Sequence, residues 1–273
     1  MQKNIPKFSV IMSLYIKEKA NYFHDSLQSI KEQTISASEI ILVLDGPINN
    51  ELNDVIIYWR NLLPIKTIKL EKNVGLAKAL NAGLKHCSYD FIARMDTDDI
   101  CMPERFEKQV KFLMLNPHID VVGSWIAEIN ENNNIIKSCV KYPLEHQELF
   151  CFFSKRNPLA HPTVMFKRSF FEKAGDYPIG VPLDEDTALW YQGFKNGCIF
   201  SNIPFIGLHF RRTSDFYQRR SDKEKILSLL KFRFKKINKD LNYGFKANCY
   251  ALLYALTSLT PHFIKKIMYK YLR

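Results

Sequence analysis

At 273 residues the chain exceeds the usual ~100–200 of one domain, yet 47% of it is apolar and no Pro/Gly-rich, low-complexity or repeated stretch divides it. It therefore reads as one large α/β domain with an extension rather than a string of modules. Six scattered cysteines without C-x-x-C spacing exclude a cysteine metal site, and with a polar start, Met1 to Lys7, they lead us to expect a reduced, cytoplasmic chain without a secretory leader. The net charge of +11 is lopsided, because positions 220–273 hold thirteen Lys and Arg against three Asp and Glu, a net of +10, leaving 26 basic against 25 acidic residues elsewhere.

Strand and helix patterns alternate through the first hundred residues. Phe8 to Met12 is a buried strand, Asn21 to Gln33 a helix with Phe23, Leu27 and Ile30 on one face, and Ile40 to Leu44 a second strand. A helix over Glu51 to Leu62 leads through Pro64 to strand Ile65 to Leu70, followed by helix Gly75 to His86 and strand Phe91 to Met95. Continuous apolar strands separated by single helices predict a parallel sheet covered on both faces, with ligands bound outside the carboxyl ends of the strands. Those ends are polar: Ser13 and Tyr15, then Asp45-Gly46-Pro47, then Asn73-Val74-Gly75, then Arg94 and Asp96-Thr97-Asp98-Asp99.

The last of these is the most informative. Carboxylates at i and i+2 on an extended chain point the same way, so Asp96 and Asp98 can share one hard divalent cation or hold a nucleotide's ribose and phosphates. The alternative is an acidic turn after a strand. Asp99 points away from Asp98 on this reading and would cap the helix opening near Pro103-Glu104.

Further along, Trp125 follows Val121-Val122-Gly123-Ser124, and His161, within Asn157 to Phe166, stands just before a predicted strand. Asp184-Glu185-Asp186 precedes a helical pattern from Thr187 to Lys195, where negative charge is favoured by the helix N-terminus. Arg211 and Arg212 end the apolar run Pro204 to Phe210.

Taken in order, Phe8-Ser-Val-Ile-Met-Ser13, Leu44-Asp45-Gly46-Pro47, Lys72-Asn73-Val-Gly75-Leu76, Ala93-Arg94-Met95-Asp96-Thr-Asp98-Asp99 and Leu183-Asp-Glu185-Asp186-x-x-Leu189-Trp190 resemble the family-two glycosyltransferases of the GT-A fold, in particular bacterial polysaccharide-assembly enzymes. The resemblance runs from about Phe8 to about Arg212. It implies a Rossmann-like nucleotide-diphospho-sugar transferase fold with a mostly parallel central sheet and a basic helical C-terminal tail. The division would be a catalytic domain over 1–215, with a nucleotide-binding half 1–100 and an acceptor-binding half 101–215, and a tail over 216–273.

The resemblance also implies roles. Asp45 would accept hydrogen bonds from uracil, its alternative being a cap for the following helix; Ser13 and Tyr15 would line the same pocket. Asn73 and Gly75 would bring backbone close to the nucleotide, although Asn-x-Gly is also turn chemistry. Arg94 would orient Asp96 or bind the sugar-phosphate, Asp98 would be the metal ligand for Mn²⁺ or Mg²⁺, and Asp96 would lie nearer the ribose or donor sugar. Asp186, with Glu185 beside it, would be the general base of an inverting transfer. His161 would lie near acceptor and donor phosphate, Trp125 at the floor of the sugar pocket, and Arg211 over the diphosphate; the structural alternatives are core packing for the first two and the start of the tail for the third.

No Gln-x-x-Arg-Trp is present, which points to single addition rather than processive synthesis. The expected partners are a UDP-sugar donor, UDP-glucose or UDP-galactose preferred over UDP-N-acetylhexosamine, and an undecaprenyl-diphosphate-linked saccharide acceptor. In the tail, Ala247 to Thr260 is too short to span a bilayer. Basic residues interleaved with Phe232, Phe234, Tyr250, Leu252, Tyr254, Ile264, Met268 and Tyr271 suit helices on an anionic membrane surface, or a tail packed on the domain with a solvated basic face. The membrane reading makes the enzyme peripheral on the inner face of the cell membrane, and no motif supports nucleic acid binding. Two other classes share some of these features: a nucleotidyltransferase, which should show a Gly-rich basic loop near Ser13-Leu14-Tyr15-Ile16-Lys17, and a non-catalytic nucleotide-binding protein, which would lack a base.

Overall fold

Continuous apolar strands require cover on both faces, and the fold supplies it. A computed structural model describes residues 5–180, 185–214 and 222–259. Strands β1 (Phe8–Leu14), β2 (Glu39–Leu44), β3 (Ile65–Lys69) and β4 (Phe91–Arg94) lie in the order β3-β2-β1-β4, all parallel. Helices α1 (Ala20–Lys31), α2 (Asn50–Arg60) and α3 (Leu76–Leu84) make the crossovers. Alternate residues enter different cores: Val10, Met12, Ile40 and Leu42 pack with Phe23, Leu27 and Ile56, whereas Ile11, Ile41 and Val43 pack with Ala79, Leu80 and Leu84.

The second half extends the same sheet. After β5 (Ile100–Cys101) and α4 (Arg105–Leu115) come β6 (Val121–Ile129), β7 (Ile135–Val140), α5 (His146–Phe153), β8 (Met165–Lys167), α6 (Arg168–Ala174), α7 (Glu185–Lys195) and β9 (Phe200–Arg211). The order continues β4-β8-β6-β9-β5, with β7 on β6. β8 is antiparallel to both neighbours, β6 and β9 are parallel, and β5 and β7 are antiparallel to their partners. Six of the nine strands therefore run one way, so the sheet is mostly parallel in direction while its second half is mixed.

Past β9, α8 (Lys223–Phe232) passes through a π turn, Arg233–Ile237, and the single turn Asn238–Asp240 to α9 (Gly244–Leu259). The described part of the tail packs on the second half of the chain. Ile237 and Leu241 join the core around Phe153 and Phe194, Arg233 Nη1 donates to the Phe153 carbonyl at 3.0 Å, and Tyr243 Oη donates to the Phe150 carbonyl at 2.6 Å. Among the described residues no helix is long and apolar enough to cross a membrane. Leu183, Asp184, Ile264, Met268 and Tyr271 lie outside the described residues.

Candidate active site

The exits of β1 to β4 meet at one edge. Asp45, buried just past β2, accepts from three donors of the loop before α3: Val74 N at 2.7 Å on Oδ1, and Asn73 Nδ2 at 3.0 Å and Gly75 N at 3.1 Å on Oδ2. It is not the cap of α2, because Asn49 takes that position and accepts from Leu52 N at 2.9 Å. A carboxylate offers about four acceptor directions, so one on Oδ1 is left for a ligand. Gly46 is required by the closeness of the two loops. Its φ is +90°, and a Cβ there would lie 2.6 Å from Asn73 N. Ser13 and Tyr15 are half-buried at the end of β1, beside this loop pair.

The acidic loop is fixed from behind. Arg94 is buried at the end of β4 and forms an ion pair with Asp96, while its Nη1 has no protein partner. The Asp96 carbonyl accepts from Ser26 Oγ at 2.9 Å, and Thr97 Oγ1 donates to Glu18 at 2.9 Å. Carboxylate oxygens of Asp96, Asp98 and Asp99 all lie within 4.8 Å of one another. Asp99 departs from expectation: it does not cap α4 but is 0% exposed in this cluster, accepting from Arg211 N at 2.8 Å on Oδ1, with Oδ2 unpartnered. Burial, then the Asp98 and Asp96 charges, push its carboxyl well above the ordinary range. Three hard oxygen donors around an orphaned buried oxygen fit a divalent cation such as Mg²⁺ or Mn²⁺.

The second half of the chain contributes α7, which begins at Glu185 rather than Thr187, so both acids lie in its first turn. Asp186 accepts from Thr187 N at 2.6 Å on Oδ1 and from Asn157 Nδ2 at 2.9 Å on Oδ2. Burial and the neighbouring Asp186 charge push Glu185 up to about 7, and Arg94 and Asp96 are close enough to act on its titration as well. His161 is buried in the 3₁₀ turn before β8, its Nε2 2.9 Å from Tyr177 Oη; burial and then Arg94 hold it well below its ordinary range, so it is neutral. The two halves thus meet across Arg94, His161, Tyr177 and Glu185.

A model of family-two glycosyl transferases matches residues 9–175, more than half of the chain. The protein belongs to glycosyl transferase family 2. The amylovoran biosynthesis glycosyltransferase AmsE of Erwinia amylovora is 36% identical over 264 residues, 96% of this chain and 98% of AmsE. A UDP-Gal:alpha-D-GlcNAc-diphosphoundecaprenol beta-1,3-galactosyltransferase of Escherichia coli is 34% identical over the full length of both chains. The crystal structure of S. aureus TarS 1–349 in complex with UDP-GlcNAc superposes with a TM-score of 0.63 at 18% identity, covering 95% of this chain and 83% of TarS 1–349, which places the fold.

Not every residue expected at the site of this family-two transferase faces it. The Arg211 guanidinium is buried behind the acidic loop, where Nε donates to the Asp98 carbonyl at 2.7 Å, Nη1 donates to Asn133 Oδ1 at 2.5 Å, and the group stacks 4.2 Å over Tyr22. It braces the loop rather than opening to a diphosphate. Arg212 pairs with buried Glu128 at 2.6 Å. Trp125 is half-buried on β6 and donates Nε1 to the Tyr142 carbonyl at 2.9 Å, with Lys141 over its ring; these contacts belong to the β6–β7 side and not to the acidic loop.

Two further contributors escaped sequence reading. Asn81 on α3 clamps the Tyr177 backbone from both sides, donating to its carbonyl at 2.8 Å and accepting from its N–H at 2.9 Å. Arg105, buried on α4, donates to the Arg94 carbonyl at 2.6 Å and to Gln109 at 3.1 Å. Neither residue lies in a motif; the only signal was an Asn and an Arg at helix positions that ought to face the core.

Proposed function

We propose that this transferase moves a hexose, with inversion, from UDP-glucose or UDP-galactose to a lipid-diphosphate-linked saccharide during assembly of a bacterial surface polysaccharide, at the inner face of the cell membrane. The observation that carries the reading is the acidic cluster with its orphaned Asp99 oxygen, facing across Arg94 to a carboxylate pair on α7. The E. coli relative, aligned end to end, is named for UDP-Gal and a GlcNAc-diphosphoundecaprenol acceptor, and AmsE is named for amylovoran biosynthesis. A UDP-N-acetylhexosamine donor is the second reading.

Residues 1–100 bind the donor on this account and 101–215 the acceptor. Asp45 takes the uracil N–H on its remaining Oδ1 direction, its other directions being held by the loop that carries Asn73 and Gly75. Tyr15 packs on the base and Ser13 lines its edge. Arg94 keeps Asp96 aimed at the ribose or sugar, and its Nη1 is available to a phosphate or sugar oxygen. Asp96, Asp98 and Asp99 would hold Mg²⁺ or Mn²⁺, which when bound neutralises charge growing on the departing diphosphate.

Asp186 takes the proton from the acceptor hydroxyl as its oxygen bonds to the anomeric carbon and the bond to the diphosphate breaks. Its two carboxylate oxygens are aimed by Thr187 N and Asn157, while Glu185, raised to about 7, shares the local charge. Neutral His161 steadies Tyr177 between the halves.

The test is UDP release by purified protein with Mg²⁺ or Mn²⁺ and a synthetic lipid-diphosphate-linked GlcNAc acceptor, across the four UDP-sugars. Turnover of one hexose donor, abolished by Asp98→Ala and Asp186→Asn, is the expected result. Turnover of an N-acetylhexosamine donor alone would replace the preferred donor, and UDP binding without turnover of any donor would overturn the transfer reading.

A further inference from the structure

Helix α9 is built inside out for a water-facing element. Its inward face is a stripe of small residues, Ala247, Ala251 and Ala255, all buried. The bulky apolar residues point the other way: Phe245 is 81% exposed, Leu253 57% and Leu256 56%, and Leu252 and Leu259 are exposed beside them. At 100° per residue these five fall within an arc of about 120°, and the alanines occupy a separate arc. Scattered apolar side chains on a surface mean little, but a contiguous row of this kind marks an interaction site.

Charge identifies the occupant. Lys235, Lys236, Lys239 and Lys246 are exposed around the start of α9. Of the three acids in 222–259, Asp240 is already held by Lys195 at 2.6 Å and Tyr191 at 2.5 Å. A second copy of the chain would bring two tails of net +10 together, whereas an anionic surface is complementary. Among the described residues no helix is long and apolar enough to cross a bilayer. An exposed apolar row on a helix preceded by turns that carry exposed lysines has the form of one that lies in the bilayer interface.

We propose that the outward face of α9 is a docking surface for an anionic lipid bilayer. The purpose it would serve rests on the lipid-linked acceptor proposed above; the surface itself does not. The docked tail grips the helix bearing the proposed base, since Asp240 holds Lys195 and Tyr191 near the end of α7, and Phe232 packs edge-on against Tyr191 at 5.5 Å. Seating α9 on the membrane would therefore set the height of Glu185 and Asp186 above the lipid.

The experiment is co-sedimentation of the full chain with vesicles of phosphatidylcholine, with and without about 30% phosphatidylglycerol, at low and high salt. We expect binding to the anionic vesicles that weakens with salt, a roughly tenfold loss in Leu252→Ser/Leu256→Ser, and a loss of similar size in Lys239→Glu/Lys246→Glu. Circular dichroism and the thermal midpoint should stay unchanged in both. Equal binding by wild type and the leucine variant, or equal binding to neutral vesicles, would overturn the proposal. So would a wild type that ignores vesicles but elutes as a dimer which the leucine variant makes monomeric. Vesicle binding without UDP release from any donor would support the docking surface and count against the proposed activity alone.

Discussion

The acidic loop after β4 and the carboxylate pair that opens α7 are both clusters of like charge, and the protein treats them in opposite ways. Around the loop nearly every group is pinned: Asp96 by Arg94, the Asp98 carbonyl and the Asp99 carboxylate by Arg211, and the Arg94 carbonyl by Arg105. At α7 two acids sit side by side with lighter support, and Glu185 is left with its titration near neutrality. Both clusters raise one carboxyl by burial beside like charge, Asp99 in the loop and Glu185 on α7, so what separates them is the bracing. On the proposed mechanism the lightly held pair is the one that takes a proton, on Asp186, with Glu185 poised beside it.

That contrast can be broken at four points. The largest effects should come from the clusters themselves. Asp98→Ala and Asp186→Asn should each lower turnover by roughly 10³-fold or more, but isothermal titration should show UDP binding weakened with cation only in the first. Next, Arg211→Met removes the buried guanidinium that holds the Asp98 carbonyl and Asn133 while keeping the backbone N–H that holds Asp99, and urea unfolding should show about 1–3 kcal/mol lost; a loss below ~0.5 kcal/mol would mean the guanidinium brace is not structural. Asn81→Ala, which frees both Tyr177 backbone groups, should cost about 1–3 kcal/mol and lower kcat more than KM.

The smallest effect sharpens the comparison by pH. Glu185 is raised from 4.5 to about 7 in the folded chain, so it binds a proton more tightly folded than unfolded. Its contribution to stability is complete below about 4.5 and is lost as pH rises through about 7. The thermal midpoint of Glu185→Gln should therefore fall less than that of wild type across that window. A parallel fall in both would remove Glu185 as the poised group.

Much of the first half was legible because local pattern and environment agree there. Period-2 burial on two covered faces produces the unbroken apolar runs of β1 and β2, and helix ends fell within two residues at α1, α2 and α3. The reading failed where a polar side chain had two uses and distance in sequence hid the choice. Asp45 could cap α2 or bind the next loop, and only the approach of residues 73–75 decides. Arg211 looked like a ligand for phosphate because its partners Asp98 and Asp99 are 112 or more positions away. Asn81 and Tyr177, 96 apart, carry no local signature at all.

The separation between Arg211 and the acidic loop also sets an order of events. All the proposed donor-site side chains are present once the first hundred residues exist, yet the loop's brace arrives with the last strand of the sheet, β9. Closing so long a loop is a late and slow step in folding. On the proposed function, a growing chain would have its nucleotide residues in place early and a finished donor loop only when the sheet is closed, so that nucleotide binding would report completion of the whole domain.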